Sequence, residues 1–272
     1  MFYDRSGIKV KLLSVPSESD FRGVAASLSG HYGVGGDEGT SPLTVFEAMK
    51  SELEKPTFAM TNFEPLMFKF SVDNVSRTLT HQLVRTRIGA GYSQESFRIL
   101  DVRNRDFRIP ATICGTRANA EPAKDYSRRY DKVCQAAAKL YGDMVDDGIP
   151  FQDARFVMPM GVITSIIVYY SYNTLYSVSK RRMCKGCAQW EINCVVRMMK
   201  ECLMGDISEF TPIDSLSDRT IKLLGGKLSP PCNGGRCSNN EMIFPSCGRT
   251  VKLDETLYSN DVNANYFSGG DA

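Results

Sequence analysis

Hydrophobic and polar residues alternate over positions 66–72. Leu66, Phe68, Phe70 and Val72 share one face, while Met67, Lys69 and Ser71 take the other. That period of two predicts a half-buried strand. Asp73 then offers a side chain to start a helix, with Val75, Leu79 and Leu83 as its buried stripe, until Gly89 and Gly91 break the pattern. Upstream, positions 8–15 read as a strand, 18–28 as a helix, the five-glycine stretch 30–41 as a loop, and 43–53 as a short helix with Pro56 beyond its end. Downstream, 125–145 is a strong helical pattern, with Tyr130, Val133, Ala137, Leu140 and Met144 at three- and four-residue spacing. Positions 164–179 read as a β-branched helix buried on several sides. Positions 188–203 read as a helix offering Trp190, Val195, Met199 and Leu203 to the core. After Gly225 and Gly226 the chain becomes rich in Pro, Gly and Asn. This predicts a single unit over 1–225 followed by an irregular, cysteine-bearing tail over 226–272.

Composition narrows the function. A hydrophobic fraction of 42% and a charged fraction of 24% in 272 residues are ordinary for a folded protein with a real core. The formal net charge of +2 is too small to argue for nucleic-acid binding, so any anion binding must come from clustered arginines. The longest apolar run, 162–170, is interrupted by Thr164 and Ser165 and falls far short of a membrane span. The first residues have no signal-peptide layout, so a cytoplasmic protein is expected. Nine cysteines, an odd number, argue against a disulfide framework. Cys114, Cys134, Cys194 and Cys202 are expected to pack as small hydrophobes. Cys184, Cys187, Cys232, Cys237 and Cys247 admit two readings, structural thiols or a zinc site, and the spacing of the last three is not that of a compact zinc motif. No metal is assigned.

The chemistry concentrates in positions 81–98. Arg85, Arg87 and Arg98 crowd a short segment, and guanidinium forks suit phosphate oxygens. Gly89 and Gly91 let a ligand approach the backbone. Ser93, Gln94 and Ser96 carry groups that could read a base or a ribose. On spacing alone, a solvated helix end followed by a plain turn is an equal reading.

These residues resemble the motif of the flavin-dependent thymidylate synthases, an Arg-His-Arg triplet followed after seven residues by Ser-x-Arg. Here Arg85-Thr86-Arg87 is followed after eight residues by Ser96-Phe97-Arg98, and Gln82 stands where the family has a glutamine. Two further stretches resemble the family. One is Arg155-Phe156-Val157-Met158-Pro159 with Thr164. The other is Ala188-Gln189-Trp190-Glu191-Ile192, preceded by Arg181 and Arg182. Thr61, Phe63 and Glu64 match a further segment, in which Ala59 and Pro65 replace two histidines; Thr86 replaces a third. Only His31 and His81 exist in the chain.

The resemblance implies an α+β fold, a mostly antiparallel sheet flanked by helices, assembled as a homotetramer with shared active sites. It implies FAD as cofactor, held by Thr61, Glu64, Arg85, Thr86, Arg87, Ile88 and Asn173. It implies dUMP or a related pyrimidine nucleotide as substrate, held by Gln82, Ser96, Arg98, Arg155 and Arg181 or Arg182, with Gln94 or Glu95 beside the base. NADPH and 5,10-methylenetetrahydrofolate would be cosubstrates in reductive methylation to dTMP. No protein nucleophile is needed, since the cofactor carries the hard step, and Ser96 would only position the substrate. The glutamine and glutamate of 188–192 could instead be structural, tying a helix end to its neighbours. Two rival functions are a paralogue with altered chemistry, such as hydroxymethylation, motivated by the missing histidines, and a non-catalytic zinc- or nucleotide-binding module.

Overall fold

The computed structural model describes residues 2–3, 7–28, 41–55, 60–110, 113, 126–184, 188–230, 232–233 and 236–237. Its centre is a four-stranded antiparallel sheet in the order β2 (Lys9–Ser14), β3 (Met67–Ser76), β6 (Ile163–Ser171) and β4 (Ala90–Gln94). Two short pairs lie outside it: β1 (Phe2–Tyr3) parallel to β5 (Arg108–Ile109), and β7 (Cys232–Asn233) antiparallel to β8 (Arg236–Cys237). The helices are α1 (Glu18–Leu28), α2 (Pro42–Glu54), α3 (Arg77–Leu83), α4 (Tyr126–Asp146), α5 (Phe151–Ala154), α6 (Tyr172–Arg182), α7 (Trp190–Met204) and α8 (Leu216–Lys227). The architecture is the expected α+β class.

The alternation in β3 is real. Phe68, Phe70 and Val72 are buried, and they meet Tyr170, Val168 and Ile166 of β6 in register. These six side chains join residues of α3, α6 and α7 in one core, with α1, α2 and α8 packed outside α7. A second, smaller core gathers Phe97, Val102 and Phe107 against Cys134 and Tyr141 of α4.

Three expectations are corrected. The helix expected from Asp73 starts at Arg77 instead. Asn74 takes a positive φ of 58°, the β3–β6 register shifts between Val72 and Val75, and the strand continues through this bulge to Ser76. Ser76 is the true N-cap, its Oγ accepting from Leu79 N at 3.0 Å. Val75 is buried as expected, but in the strand.

Positions 164–179 do not form one helix. The β-branched and aromatic run from Ile163 to Tyr170 is the central strand β6, and α6 begins only after Ser171 caps it, accepting from Thr174 N at 3.4 Å. Tertiary pairing on both sides decides for the strand, because β6 hydrogen-bonds to both β3 and β4. On α4 the buried face is turned from the expected stripe. Cys134 and Tyr141 point inward, while Val133 and Leu140 are 61% and 49% exposed.

Within 188–192 the structural reading holds. Gln189 caps α7, its Oε1 accepting from Ile192 N at 3.1 Å. Glu191 is buried and accepts from Ser76. No helix among the described residues is long and apolar enough to cross a membrane.

Candidate active site

Strand β4 links two groups of candidate residues. At its start lies the turn that follows α3. Arg85 and Arg87 are exposed on that turn, Thr86 is half-buried, and Ile88 is 85% exposed. The turn is held from behind by hydroxyls. Tyr92 Oη, on β4, sits 2.7 Å from both Leu83 O and Thr86 O, so its one proton is shared between two carbonyls. It also lies 3.2 Å from Tyr170 Oη. Thr174 Oγ1 donates to Ile88 O at 2.7 Å, and Ser171 N donates to Gly89 O at 2.8 Å. Gly89 has φ of 61°, and a Cβ there would come within 2.5 Å of Thr174 Oγ1. Only glycine fits that position, for both reasons.

Other expected residues collect around the same turn. Asn173 lies in the first turn of α6, and its buried Oδ1 has no hydrogen-bond partner among the described residues. The 3-10 turn Met60–Phe63 packs beside it, with the Phe63 ring 5.7 Å from that of Tyr172 and Tyr172 N donating to Leu66 O at 2.8 Å. Glu64 is exposed just after that turn; the Thr61 side chain lies outside the described residues, as do Ala59 and His31. At the other end of α6, Arg182 is half-buried and Arg181 exposed. Burial, then the charge of Arg181, lowers the pKa of Arg182, and Tyr170 opposes the shift. Burial pushes the Tyr170 hydroxyl well up, with Arg182 and Arg181 both pulling it back, so both cations bear on the Tyr170–Tyr92 pair behind the turn.

The second group lies at the far end of β4. Ser96 is half-buried and its Oγ accepts from Arg98 N at 3.4 Å; the Arg98 side chain is exposed. Glu95 is already engaged. Its carboxylate accepts from Ser165 N at 3.1 Å and Thr164 Oγ1 at 3.4 Å, and pairs with Arg105 at 3.2 Å. Gln94 donates through Nε2 to Thr80 Oγ1 at 2.9 Å. Gln82, by contrast, is half-buried on the last turn of α3, where its carbonyl accepts from Arg85 N at 3.4 Å, so it lies beside the arginine turn and not at this end of β4. Arg155 opens the 3-10 turn Arg155–Val157, its Nε donating to Gln152 O at 3.1 Å. His81 is exposed on α3.

Three residues of this site escape a reading of the sequence. Arg77 stacks on Phe97 with its guanidinium carbon 4.6 Å from the ring centroid, and reaches Glu95 O at 3.5 Å. Tyr92 and Tyr170 form the support behind the arginine turn. Tyr92, a lone aromatic among Gly, Ser and Gln, was the available signal; Arg77 has none, because it stands outside the motif spacing. Among the described residues no cluster of three or more His, Cys, Asp and Glu could hold a metal. Cys134, Cys184 and Cys194 are buried free thiols and Cys202 is half-buried, while the side chains of Cys114, Cys187, Cys232, Cys237 and Cys247 lie outside the described residues.

The fold has a solved counterpart. A UMP/dUMP methylase, PolB from Streptomyces cacaoi, solved with 5-Br dUMP, superposes with a TM-score of 0.59 at 20% identity. The match covers 85% of this chain and 100% of that one. At that identity the likeness shows the fold. In sequence, the chain is 37% identical over 190 residues to a flavin-dependent thymidylate synthase of Geobacter sulfurreducens, covering 70% of this chain and 72% of the relative. It is 33% identical over 190 residues to one of Pyrococcus furiosus, covering 68% and 70%. It is 29% identical over 270 residues to one of Clostridium tetani, covering 91% and 96%. The family described as thymidylate synthase complementing protein matches residues 53–206, more than half of the chain and the whole span from the 3-10 turn at Met60 through α7. With both arginine groups and the 188–192 block inside that span, the chain belongs to the flavin-dependent thymidylate synthase family.

Proposed function

We propose that the protein converts dUMP to dTMP by reductive methylation, with FAD bound and with 5,10-methylenetetrahydrofolate and NADPH as cosubstrates. The observation that carries this reading is the gathering of an exposed Arg85-Thr86-Arg87 turn and a Ser96-Phe97-Arg98 loop at the two ends of one strand, in a chain of this family. Two relatives are named flavin-dependent thymidylate synthases at 37% and 33% identity, and the structural neighbour is named a UMP/dUMP methylase.

The residues present fit a flavin. Asn173 Oδ1 is a buried acceptor without a donor among the described residues, an arrangement that an imide N–H would complete. Arg85 and Arg87 present guanidiniums suited to a pyrophosphate, and Gly89 lets the turn lie close against α6. Thr61, Glu64, Thr86 and Ile88 complete the set. When bound, the flavin supplies the redox capacity and the hydride that the one-carbon transfer needs.

The chain's own part is to bind and orient. Ser96, Arg98, Arg155 and Gln82 hold the nucleotide, with Arg182 as the half-buried member of the Arg181–Arg182 pair. Gln94 suits the base better than Glu95 does. Its Oε1 is still available while Nε2 is anchored to Thr80, whereas the Glu95 carboxylate is taken by Ser165, Thr164 and Arg105. Ser96 has no imidazole partner among the described residues, so it positions and does not attack. The reading assigns catalysis to residues 1–225 and none to the tail of 226–272.

A homotetramer with shared active sites belongs to the same reading. Ile88 and Phe156, each beside a candidate arginine, are 85% and 84% exposed, and Val133 and Leu140 leave an apolar stripe on α4. Light scattering on the eluting protein measures that mass directly.

The test is to incubate the protein with FAD, NADPH, methylenetetrahydrofolate and dUMP and to weigh the nucleotide. A methyl gain is the expected result; dUMP left unchanged by flavin-loaded protein overturns the reading. A hydroxymethyl gain would favour the second reading, which the replacement of three histidines by Ala59, Pro65 and Thr86 motivates.

A further inference from the structure

Thr80 lies in α3 with no exposed surface, and Gln94 ends β4 half-buried beside it. The Gln94 amide reaches across, Nε2 donating to Thr80 Oγ1 at 2.9 Å. A threonine hydroxyl has one proton to give. Here it goes to Arg77 O, one turn back along the helix, at 3.1 Å. With that proton engaged, Oγ1 faces Gln94 only as an acceptor, so it takes the NH2 end of the amide and not the carbonyl end. Turning the amide over would set Gln94 Oε1 against Oγ1, and one proton would then have to serve both Oε1 and Arg77 O. The reversed orientation therefore costs about one hydrogen bond. In the orientation that Thr80 holds, Oε1 accepts nothing among the described residues and is left for a ligand.

Pyrimidine bases differ at the atom such an acceptor meets. Ring N3 of uracil carries a proton and donates, whereas N3 of cytosine carries none and accepts. We propose that Thr80 is a positioning residue that fixes the Gln94 amide with Oε1 toward the base, so that the site takes a uracil nucleotide over a cytosine one. This rests on the reading that sets Gln94 beside the base, and adds to it the residue that decides which end of Gln94 the base meets. A fixed acceptor discriminates because the wrong base leaves it unpaired. A base tied through its phosphate to Ser96 and Arg98 has little room to slide along the amide in compensation.

The experiment titrates flavin-loaded protein with dUMP and with dCMP and reads the ratio of the two dissociation constants. The unmodified chain should prefer dUMP. Thr80→Val keeps the shape of the side chain and removes the hydroxyl, so the amide turns freely, and the preference should shrink by about three- to tenfold, the scale of one hydrogen bond. Thr80→Ser returns the hydroxyl and should return the preference. The assignment is wrong if Thr80→Val leaves the ratio where it was, if it weakens both nucleotides by the same factor, or if Thr80→Ser repairs nothing. Should Thr80→Val not fold, Thr80→Ala removes the same hydroxyl and decides by the same criterion. Gln94→Met separates this inference from the reading beneath it. If Gln94→Met leaves the ratio unmoved, Gln94 does not meet the base and that reading fails. If it moves the ratio while Thr80→Val does not, only the role of Thr80 fails.

Discussion

The backbone N–H and the hydroxyl of Ser76 both donate to the carboxylate of Glu191, at 2.7 and 2.5 Å, across 115 positions of sequence. The same hydroxyl oxygen caps α3 by accepting from Leu79 N. The start of the helix that leads to the arginine turn is thus pinned to the start of α7. Behind the carboxylate stands Arg108, 3.7 Å away and equally buried, which also donates to Asn74 O in the bulge that delays the helix. Glu191→Ala should therefore cost about 3–5 kcal/mol, the scale for breaking a buried ion pair and leaving one partner charged. A loss of unfolding free energy in urea of less than a quarter of that would show that Arg108 finds another partner.

Burial pushes the Glu191 carboxyl up from its ordinary range, against the hydrogen bonds from Ser76 and the charge of Arg108. A folded-state pKa above the unfolded one means that the native protein holds more protons between the two values. Stability contributed by this group is then fully present below the unfolded pKa and declines as pH rises through the folded one. Glu191→Gln removes that titration. The stability difference between wild type and Glu191→Gln should shift against wild type as pH climbs from about 4 upward. A difference that is flat with pH would mean that Arg108 and Ser76 balance burial, and one that moves in wild type's favour that they outweigh it.

Tyr92→Phe removes the hydroxyl that bridges Leu83 O and Thr86 O without changing the ring's edge-on contact with Tyr170, whose centroid lies 6.0 Å away. The global cost should be about 1 kcal/mol, as for one partly exposed hydrogen bond. The larger effect falls on the turn, where Arg85 and Arg87 lose their fixed backbone. Flavin binding, followed by quenching of its fluorescence, should weaken several-fold while nucleotide affinity in flavin-saturated protein holds. Unchanged flavin affinity would show that Thr174 and Ser171 suffice to hold the turn.

Much of this was legible in the chain, and the exceptions share a cause. Glu18–Leu28 emerges with the expected ends because its apolar pattern is local, as is its start, where Ser17 N donates to Asp20 Oδ2 and Asp20 N to Ser17 Oγ. Strand β3 was visible as an alternation, but its end was not. The bulge at Asn74 depends on a hydrogen bond to Gly7 O, 67 positions away, which no local pattern records. Strand β6 reads as a helix because its half-buried outward positions Ile167 and Tyr169 are themselves apolar, so it lacks the polar alternation that Lys69 and Ser71 give β3. Among site residues, the arginine triplet and Ser96 carried a spacing that could be matched. Arg77 carried none, and only the fold sets it on Phe97.

The two arginine groups should separate in their effects, because they stand at opposite ends of β4. Arg98 is exposed in the loop after Ser96, and nothing in the turn at Gly89 rests on its side chain. Arg98→Ala should therefore weaken dUMP by about tenfold or more and leave flavin bound. Arg85 is exposed on the other turn, where Tyr92 and Thr174 hold backbone carbonyls and not the guanidinium. Arg85→Ala should keep that turn in place and still release flavin, since only the charge for the pyrophosphate is lost. Purified variants can be compared by flavin absorbance per chain and by dUMP titration after flavin is restored in excess. If Arg98→Ala binds dUMP normally, the extra residue between Arg87 and Ser96 has moved the nucleotide's contacts elsewhere along the loop. If both variants lose both ligands, the two ends of β4 do not act as separate sites, and one cooperative pocket replaces them.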